Sequence, residues 1–207
     1  VNNNYNPATE EKPTGVGRFQ ALSVIASVVL PMLAAYIVFR TGIGMPEGTV
    51  NQGELLQPPR SIEHLPLLKP SGTRLDLLSE SPRWRYLILP GGDCTAECEK
   101  LLYTTRQVHI RLGEKADRVE RLLVSATPLS EERRAQLREQ HPRLRFAVQE
   151  SAALDGLLRD TNHPRLERVS TLLVDQRGFA MMVYDNHHSG NQLLKDIKRL
   201  LKYSYDK

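Results

Sequence analysis

Residues 84–98 read WRYLILPGGDCTAEC, and this stretch decides the fold. Trp84 to Leu89 is apolar and aromatic over six residues, the length and composition of a buried strand. Pro90-Gly91-Gly92 ends it, because proline donates no ladder hydrogen bond and glycine permits a sharp change of direction. Asp93 then stands where an N-cap would accept from the first helical amides. From Cys94 to about Leu112 the chain carries an apolar stripe at helical spacing, Leu101, Leu102, Val108 and Leu112. The two cysteines, Cys94 and Cys98, therefore fall at a strand–helix junction.

Downstream, the same reading gives an alternation of elements. Arg121 to Ala126 (RLLVSA) is a second strand, and Ser130 caps a helix running to about Gln140. Arg145 to Gln149 is a short strand, followed by a short helix near Ala152 to Leu158. Thr171 to Val174 and Phe179 to Tyr184 flank the turn Asp175-Gln176-Arg177-Gly178, the signature of an antiparallel hairpin. A closing helix from about Asn191 to Tyr203 bears Leu193, Leu194, Ile197, Leu200 and Leu201 on one face. The predicted class is α/β: a βαβ unit followed by ββα, a central mixed sheet flanked by helices.

Upstream, Phe19 to Phe39 contains no charge, long enough to span the roughly 30 Å hydrocarbon core as a helix. Pro31 in its middle is tolerated in membrane helices, and Tyr36 suits an interfacial anchor. The block exceeds a signal-peptide core and no A-x-A site follows it before Arg40, so an anchor is expected. Lys12 and Arg18 precede the span and only Arg40 closely follows it, a bias that puts the C-terminal part outside the cytoplasm. The expected organisation is a disordered cytoplasmic tail over 1–18, a transmembrane helix over 19–40, an extended tether over 41–80 and the folded domain over 81–207. Within the tether, Leu65 to Leu78 is expected to supply a β-hairpin or edge segment.

Composition narrows the function. The net charge of +4 is mild. The densest basic run (Arg133, Arg134, Arg138, Arg143, Arg145) is diluted by Glu131, Glu132 and Glu139, which marks a solvated face and excludes nucleic acid as a partner. Two cysteines exclude a disulfide-dense scaffold.

Residues four apart on a helix share a face, so Cys94 and Cys98 are expected to point at one patch. At a Cα separation of about 6 Å they can close a disulfide, or as thiolates hold a soft ion such as Cu(I). Zinc would want further cysteines that the chain lacks. A helix N-terminus favours the thiolate. Asp93, Glu97 and Glu99 oppose it and would help hold a cation, which tilts the balance toward metal over a fast dithiol reductase.

At these residues the chain resembles a known family. The turn GGDCTAEC (91–98), the helix KLLYTTRQVHIRLG (100–113), the strand RVERLLVSATP (118–128) and the hairpin TLLVDQRG (171–178) are similar to the Sco (SenC) family, copper chaperones for cytochrome c oxidase assembly. The resemblance runs from about residue 50 to the end. NQGELLQPPRSI (51–62) and LLYTTRQVHIRLG (101–113) also resemble small bacterial membrane proteins found with oxidase assembly factors. It implies a thioredoxin-like domain in the periplasm, held by one helix in the bacterial inner membrane beside membrane lipid, with Cu(I) as the metal. It further implies the copper-bearing subunit of cytochrome c oxidase, or other assembly factors, as partners. Cys94 and Cys98 are then both the redox pair and metal ligands.

Two family features are replaced. Thr95 and Glu99 stand where the family has proline near its cysteines, and Glu167 or Arg168 stands where it has a copper-ligating histidine. His163, upstream in the same loop, is the substitute third ligand. His187 and His188 are expected to cap or solvate the last helix. Met181 and Met182 should alternate across a strand, so at most one can face the cysteines, and a core role is expected. His109 is expected on a helix surface and His64 in the tether. The position of the thioredoxin cis-proline is Ser170, which argues against a general oxidoreductase. Three functions follow: an oxidase assembly factor handling Cu(I) or the thiols of the oxidase copper site, a membrane-tethered thiol–disulfide reductase, and an accessory protein that kept the fold alone.

Overall fold

The computed structural model describes residues 17–41, 50–90, 94–164 and 169–204. The chain divides into two units, Val1–Gly48 and Thr49–Lys207. In the first, helix α1 spans Arg18–Thr41 with Pro31 inside it and none of its residues buried. It is long and apolar enough to cross a membrane, with a mean hydropathy of 2.4 over its most apolar window. Of the tail expected over residues 1–18, residues 1–16 lie outside the described residues.

The second unit is a six-stranded sheet in the order β1-β6-β5-β2-β3-β4. Its strands are β1 (Glu54–Ser61), β2 (Trp84–Leu89), β3 (Val119–Ser125), β4 (Leu144–Val148), β5 (Ser170–Val174) and β6 (Phe179–Asp185). The helices are α2 (Ala96–Arg111), α3 (Glu131–Gln140), α4 (Ser151–Leu158) and α5 (Gly190–Tyr203), with a 3₁₀ turn over Gly113–Arg118. Strands β2, β3 and β4 run parallel, as helical crossovers require. β5 is antiparallel to β2 and to β6. The expected mixed α/β sheet flanked by helices is what forms.

Within the stretch expected as an extended tether over 41–80, the described residues from Glu54 onward are part of the folded unit. Glu54–Ser61 pairs antiparallel with β6 as an edge strand. Pro58 and Pro59 are accommodated there because an edge strand bonds on one side only, and the register shifts between Leu55 and Arg60. The following stretch folds back over one sheet face. Leu56, Ile62, Leu65, Leu67, Leu75 and Leu77 join Leu87, Leu89, Leu122, Val124, Leu172 and Val174 in one buried cluster, with α4 packed against it. Within that stretch Leu68 bridges Arg74 and Val148, so residues 65–78 do contain a small hairpin.

The opposite face is covered by α2, α3 and α5. Trp84, Tyr86, Val108, Leu173, Tyr184, Leu193 and Ile197 form one cluster. Ile88, Cys98, Leu101, Leu102, Leu123 and Leu137 form another beside it. Ser130 caps α3 by accepting from the Arg133 amide, and a Ser189–Gln192 capping box starts α5, each as its helix's orphan amides require. In the β5–β6 turn, Gly178 takes φ +84° and lies where an added Cβ would run into the side chain of Leu78.

Three local expectations are corrected. His109 is buried beneath α2, 3.0 Å from the carbonyl oxygen of Val119, instead of lying on the helix surface. His187 and His188 do not cap α5, since Ser189 does; both approach Asp185. Met181 and Met182 both pack on the Trp84–Tyr86 cluster, because a bulge between Leu173 and Val174 breaks the alternation of β6.

Candidate functional site

The site lies where β2 gives way to α2. Gly91, Gly92 and Asp93 are outside the described residues, and so is the cap expected of Asp93. The helix starts at Ala96 with Thr95 as its N-cap residue, two residues later than the periodicity suggests. Cys94 therefore precedes the helix and only Cys98 lies on it, in the first turn. The two are joined by a disulfide at a Cα separation of 5.1 Å. Cys98 is fully buried among Ile88, Leu101, Leu102, Leu123, Leu137 and Val169, whereas Cys94 is half-buried against the same cluster. One sulfur is approachable and the other is sealed, an asymmetry that directs an incoming nucleophile to Cys94.

The charges around the pair differ from the sequence expectation. Glu99 is drawn away to Arg133 of α3, whose Nη2 lies 2.5 Å from Glu99 Oε1 and donates to the Cys94 carbonyl oxygen at 3.4 Å. Arg133 Nη1 donates to Gln136 Oε1 at 2.7 Å, which steadies the guanidinium. A cation stands at the cysteine backbone in addition to the α2 N-terminus, and both favour a thiolate once the disulfide is opened. Sequence reasoning missed Arg133; it sat in a run that read as a solvated face, and nothing local marks it.

On the other flank, Lys100 Nζ donates to the Asn186 carbonyl oxygen at 3.4 Å, tying α2 to the β6–α5 turn. There His187 Nδ1 and His188 Nδ1 lie 3.0 and 2.8 Å from the two oxygens of Asp185. Partial burial pushes the Asp185 carboxyl up, but hydrogen bonds from His187 and His188 outweigh it and hold it down at about 2. Register pairs Ser170 with both Leu89 and Asp185, so this turn shares the sheet end from which the cysteine loop leaves. The buried hydroxyls of Ser170 and Thr171 have no hydrogen-bond partner among the described residues.

His163 is placed elsewhere. Its Nε2 lies 2.9 Å from Glu54 Oε2 at the start of β1. The neighbouring Asn162 is fastened to β1, accepting from the Gln57 amide at 3.0 Å and donating to the Leu55 carbonyl at 2.9 Å. Three strand spacings, about 14 Å, separate β1 from β2 in the sheet. The structure thus brings Cys94 and Cys98 together and holds His163 at the sheet edge. Glu167 and Arg168 lie outside the described residues. Among the described residues, no group of three or more His, Cys, Asp or Glu side chains is gathered to hold a metal ion.

A mixed sheet with the order βαβ then ββα, and a cysteine pair at the first strand–helix junction of that unit, define a thioredoxin-like protein. The chain belongs to the family described as transmembrane-like, thioredoxin-like, C-terminal domain, whose model matches residues 84–204. Its fold is that of the Sco proteins. It is 13% identical to yeast Sco1 solved with copper bound, covering 76% of this chain and 97% of that one at a TM-score of 0.53. The copper-bound ScoI of Arabidopsis thaliana is 16% identical, with 70% and 98% covered and a TM-score of 0.51. BsSco, a cytochrome c oxidase assembly protein with a disulfide switch, is 11% identical, with 75% and 99% covered and a TM-score of 0.52. No curated protein matches the sequence.

Proposed function

We propose that this protein is a Sco-like assembly factor for a respiratory haem–copper oxidase, handling Cu(I) or the thiols of the oxidase copper site through Cys94 and Cys98. The observation that carries the reading is the pair itself, a half-buried and a buried cysteine joined at the β2–α2 junction. The fold shared with copper-bound Sco proteins supports it. In this reading α1 anchors the chain in the bacterial inner membrane and the domain faces the periplasm, an oxidising compartment that suits a disulfide. The copper-bearing subunit of the oxidase or another assembly factor is the partner.

Copper here is cargo. The disulfide cannot ligate it, so loading begins with reduction. A partner thiolate attacks Cys94 Sγ, the S–S bond breaks, and Cys98 leaves as the thiolate. The partner's second thiol then attacks the mixed disulfide, releasing Cys94 and leaving the partner oxidised. Two protons and two electrons have moved to the pair. Two soft thiolates then suit Cu(I), and Arg133 offsets part of their negative charge.

A second reading, a membrane-tethered thiol–disulfide reductase, is favoured by one observation: the pair is closed and no third metal ligand is gathered with it among the described residues. There Cys94 attacks a target disulfide and Cys98 resolves the mixed species. Titrating the reduced full-length protein with Cu(I) separates the two. The assembly-factor reading requires one tightly bound Cu(I), lost in Cys94→Ser and in the oxidised protein and unaffected by His163→Ala. Absence of Cu(I) binding, with ready equilibration against a dithiol buffer, would establish the reductase. Absence of both would leave a protein that kept the fold alone.

A further inference from the structure

We infer that the groove along the open edge of β4 binds an acidic peptide segment as an added strand. β4 is the last strand of the sheet. At its end Val148 exchanges both backbone hydrogen bonds with Leu68, at 2.8 and 2.9 Å, so Val148 faces away from β3. The next residue faces inward, since the Gln149 amide donates to the Ser125 carbonyl at 2.9 Å. Strand alternation then turns the amide and carbonyl of Phe146 outward as well. Neither has a partner among the described residues, because the chain downstream of Leu68, the partner of Val148, turns off into the Lys69–Thr73 hairpin. The edge has thus accepted one residue of a neighbouring strand and stops there, leaving a template for more.

Beside it lies a cavity of about 450 Å³ lined by Lys69, Pro70, Leu75, Arg134, Arg138 and Phe146 among others. Its charge decides the occupant. Arg134 and Arg138 share the single carboxylate of Glu131. Among the described residues Lys69 has no acidic partner, and Arg134 Nε is shielded from solvent without an acceptor. Arg145, also on the wall, is already satisfied by Glu80 at 2.6 Å and Glu120 at 2.5 Å. The groove therefore keeps two unneutralised positive charges above an apolar floor. The guanidinium of Arg138 lies 5.6 Å from the centre of the Phe146 ring. An extended peptide presents alternate side chains to opposite sides, so carboxylates on one side can meet Arg134 and Arg138 beside Phe146 while apolar residues on the other meet Leu75. This docking is independent of the cysteine chemistry.

The probe is a fluorescein-labelled peptide of alternating glutamate and valine, added to the full-length protein in detergent micelles and followed by fluorescence anisotropy. Saturable binding is expected, weakening about tenfold or more in the surface double variant Lys69→Glu/Arg138→Glu and on raising salt from about 50 to about 300 mM. The Phe146 amide should exchange with solvent more slowly when the peptide is bound. A peptide N-methylated at alternate residues should fail to bind, because it cannot complete the ladder. No saturation, equal affinity for the N-methylated peptide, or equal affinity for a lysine–valine peptide would each overturn the inference.

Discussion

Arg133 Nη2 donates to the carbonyl oxygen of Cys94 at 3.4 Å while lying 2.5 Å from Glu99 Oε1. One guanidinium thus links α3 to the cysteine that solvent can reach. In the reduced protein its charge favours the Cys94 thiolate, and Glu99 opposes it. Arg133→Gln should slow alkylation of Cys94 by iodoacetamide about threefold at neutral pH, and Glu99→Gln should speed it by a similar factor. Site-resolved mass spectrometry reads both rates. Changes of the same sign in the two variants would refute an electrostatic role and leave a structural one.

Beneath the other face, Arg85 and Glu120 form a buried ion pair at 3.0 Å, their side chains 1% and 5% exposed. Arg85 Nη2 also donates to the Leu77 carbonyl at 2.7 Å, so the pair fixes the covering segment to the sheet. Removing one partner strands the other charge in the interior. Glu120→Gln should cost about 3 kcal/mol in urea unfolding of the full chain. Asp117→Asn, which breaks an exposed pair with Arg143 whose side chains are 82% and 65% exposed, should cost less than about 0.5 kcal/mol. Equal losses would contradict the burial argument.

Acid should weaken the fold before any carboxylate is involved. Burial lowers His109, with the nearby charge of Arg121 adding to it, and burial followed by Arg121 and Arg106 lowers His141. In the unfolded chain both titrate near the ordinary 6.5, so the unfolded state takes up protons first as pH falls. Stability is complete above about pH 6.5 and declines below it, toward the depressed folded values. The urea midpoint should drop between about pH 7.5 and 5.5, and the drop should shrink in His109→Gln/His141→Gln. An undiminished drop in that variant would assign the effect to other groups.

Asp196 of α5 is buried and accepts from three donors. These are the amides of Gln52 and Gly53, each at 2.9 Å, and the Tyr184 hydroxyl at 3.0 Å. It fastens the chain just ahead of β1 to the closing helix. Asp196→Ala leaves all three donors unpaired and should cost about 3 kcal/mol, whereas Tyr184→Phe removes one donor and should cost about 1 kcal/mol. Gly53→Ala should be comparably damaging, because the added Cβ would run into the Tyr184 ring. Thermal unfolding of the three variants ranks them.

What the sequence determined by itself was everything that depends on neighbours in the chain. The run of Trp84–Leu89, the hairpin of β5 and β6 and the stripe of α5 each follow from local periodicity and turn chemistry. The cysteine pair at a strand–helix junction was legible for the same reason. What only the tertiary structure decided depends on residues far apart. Glu54–Ser61, with its two prolines, looked like tether because an edge strand is defined by its partner β6 and not by its own pattern. His109 looked exposed until β3 packed beneath α2, and the position of His163 beside Glu54 follows from the pairing of distant segments. The start of α2 moved past Cys94, so the pair that opened the reading is not a helical face of two thiols. It is one half-buried sulfur leading into the helix and one sealed beneath it, with a guanidinium from α3 beside them. Periodicity records which side of an element is buried, but burial against a particular partner is a property of the assembled fold.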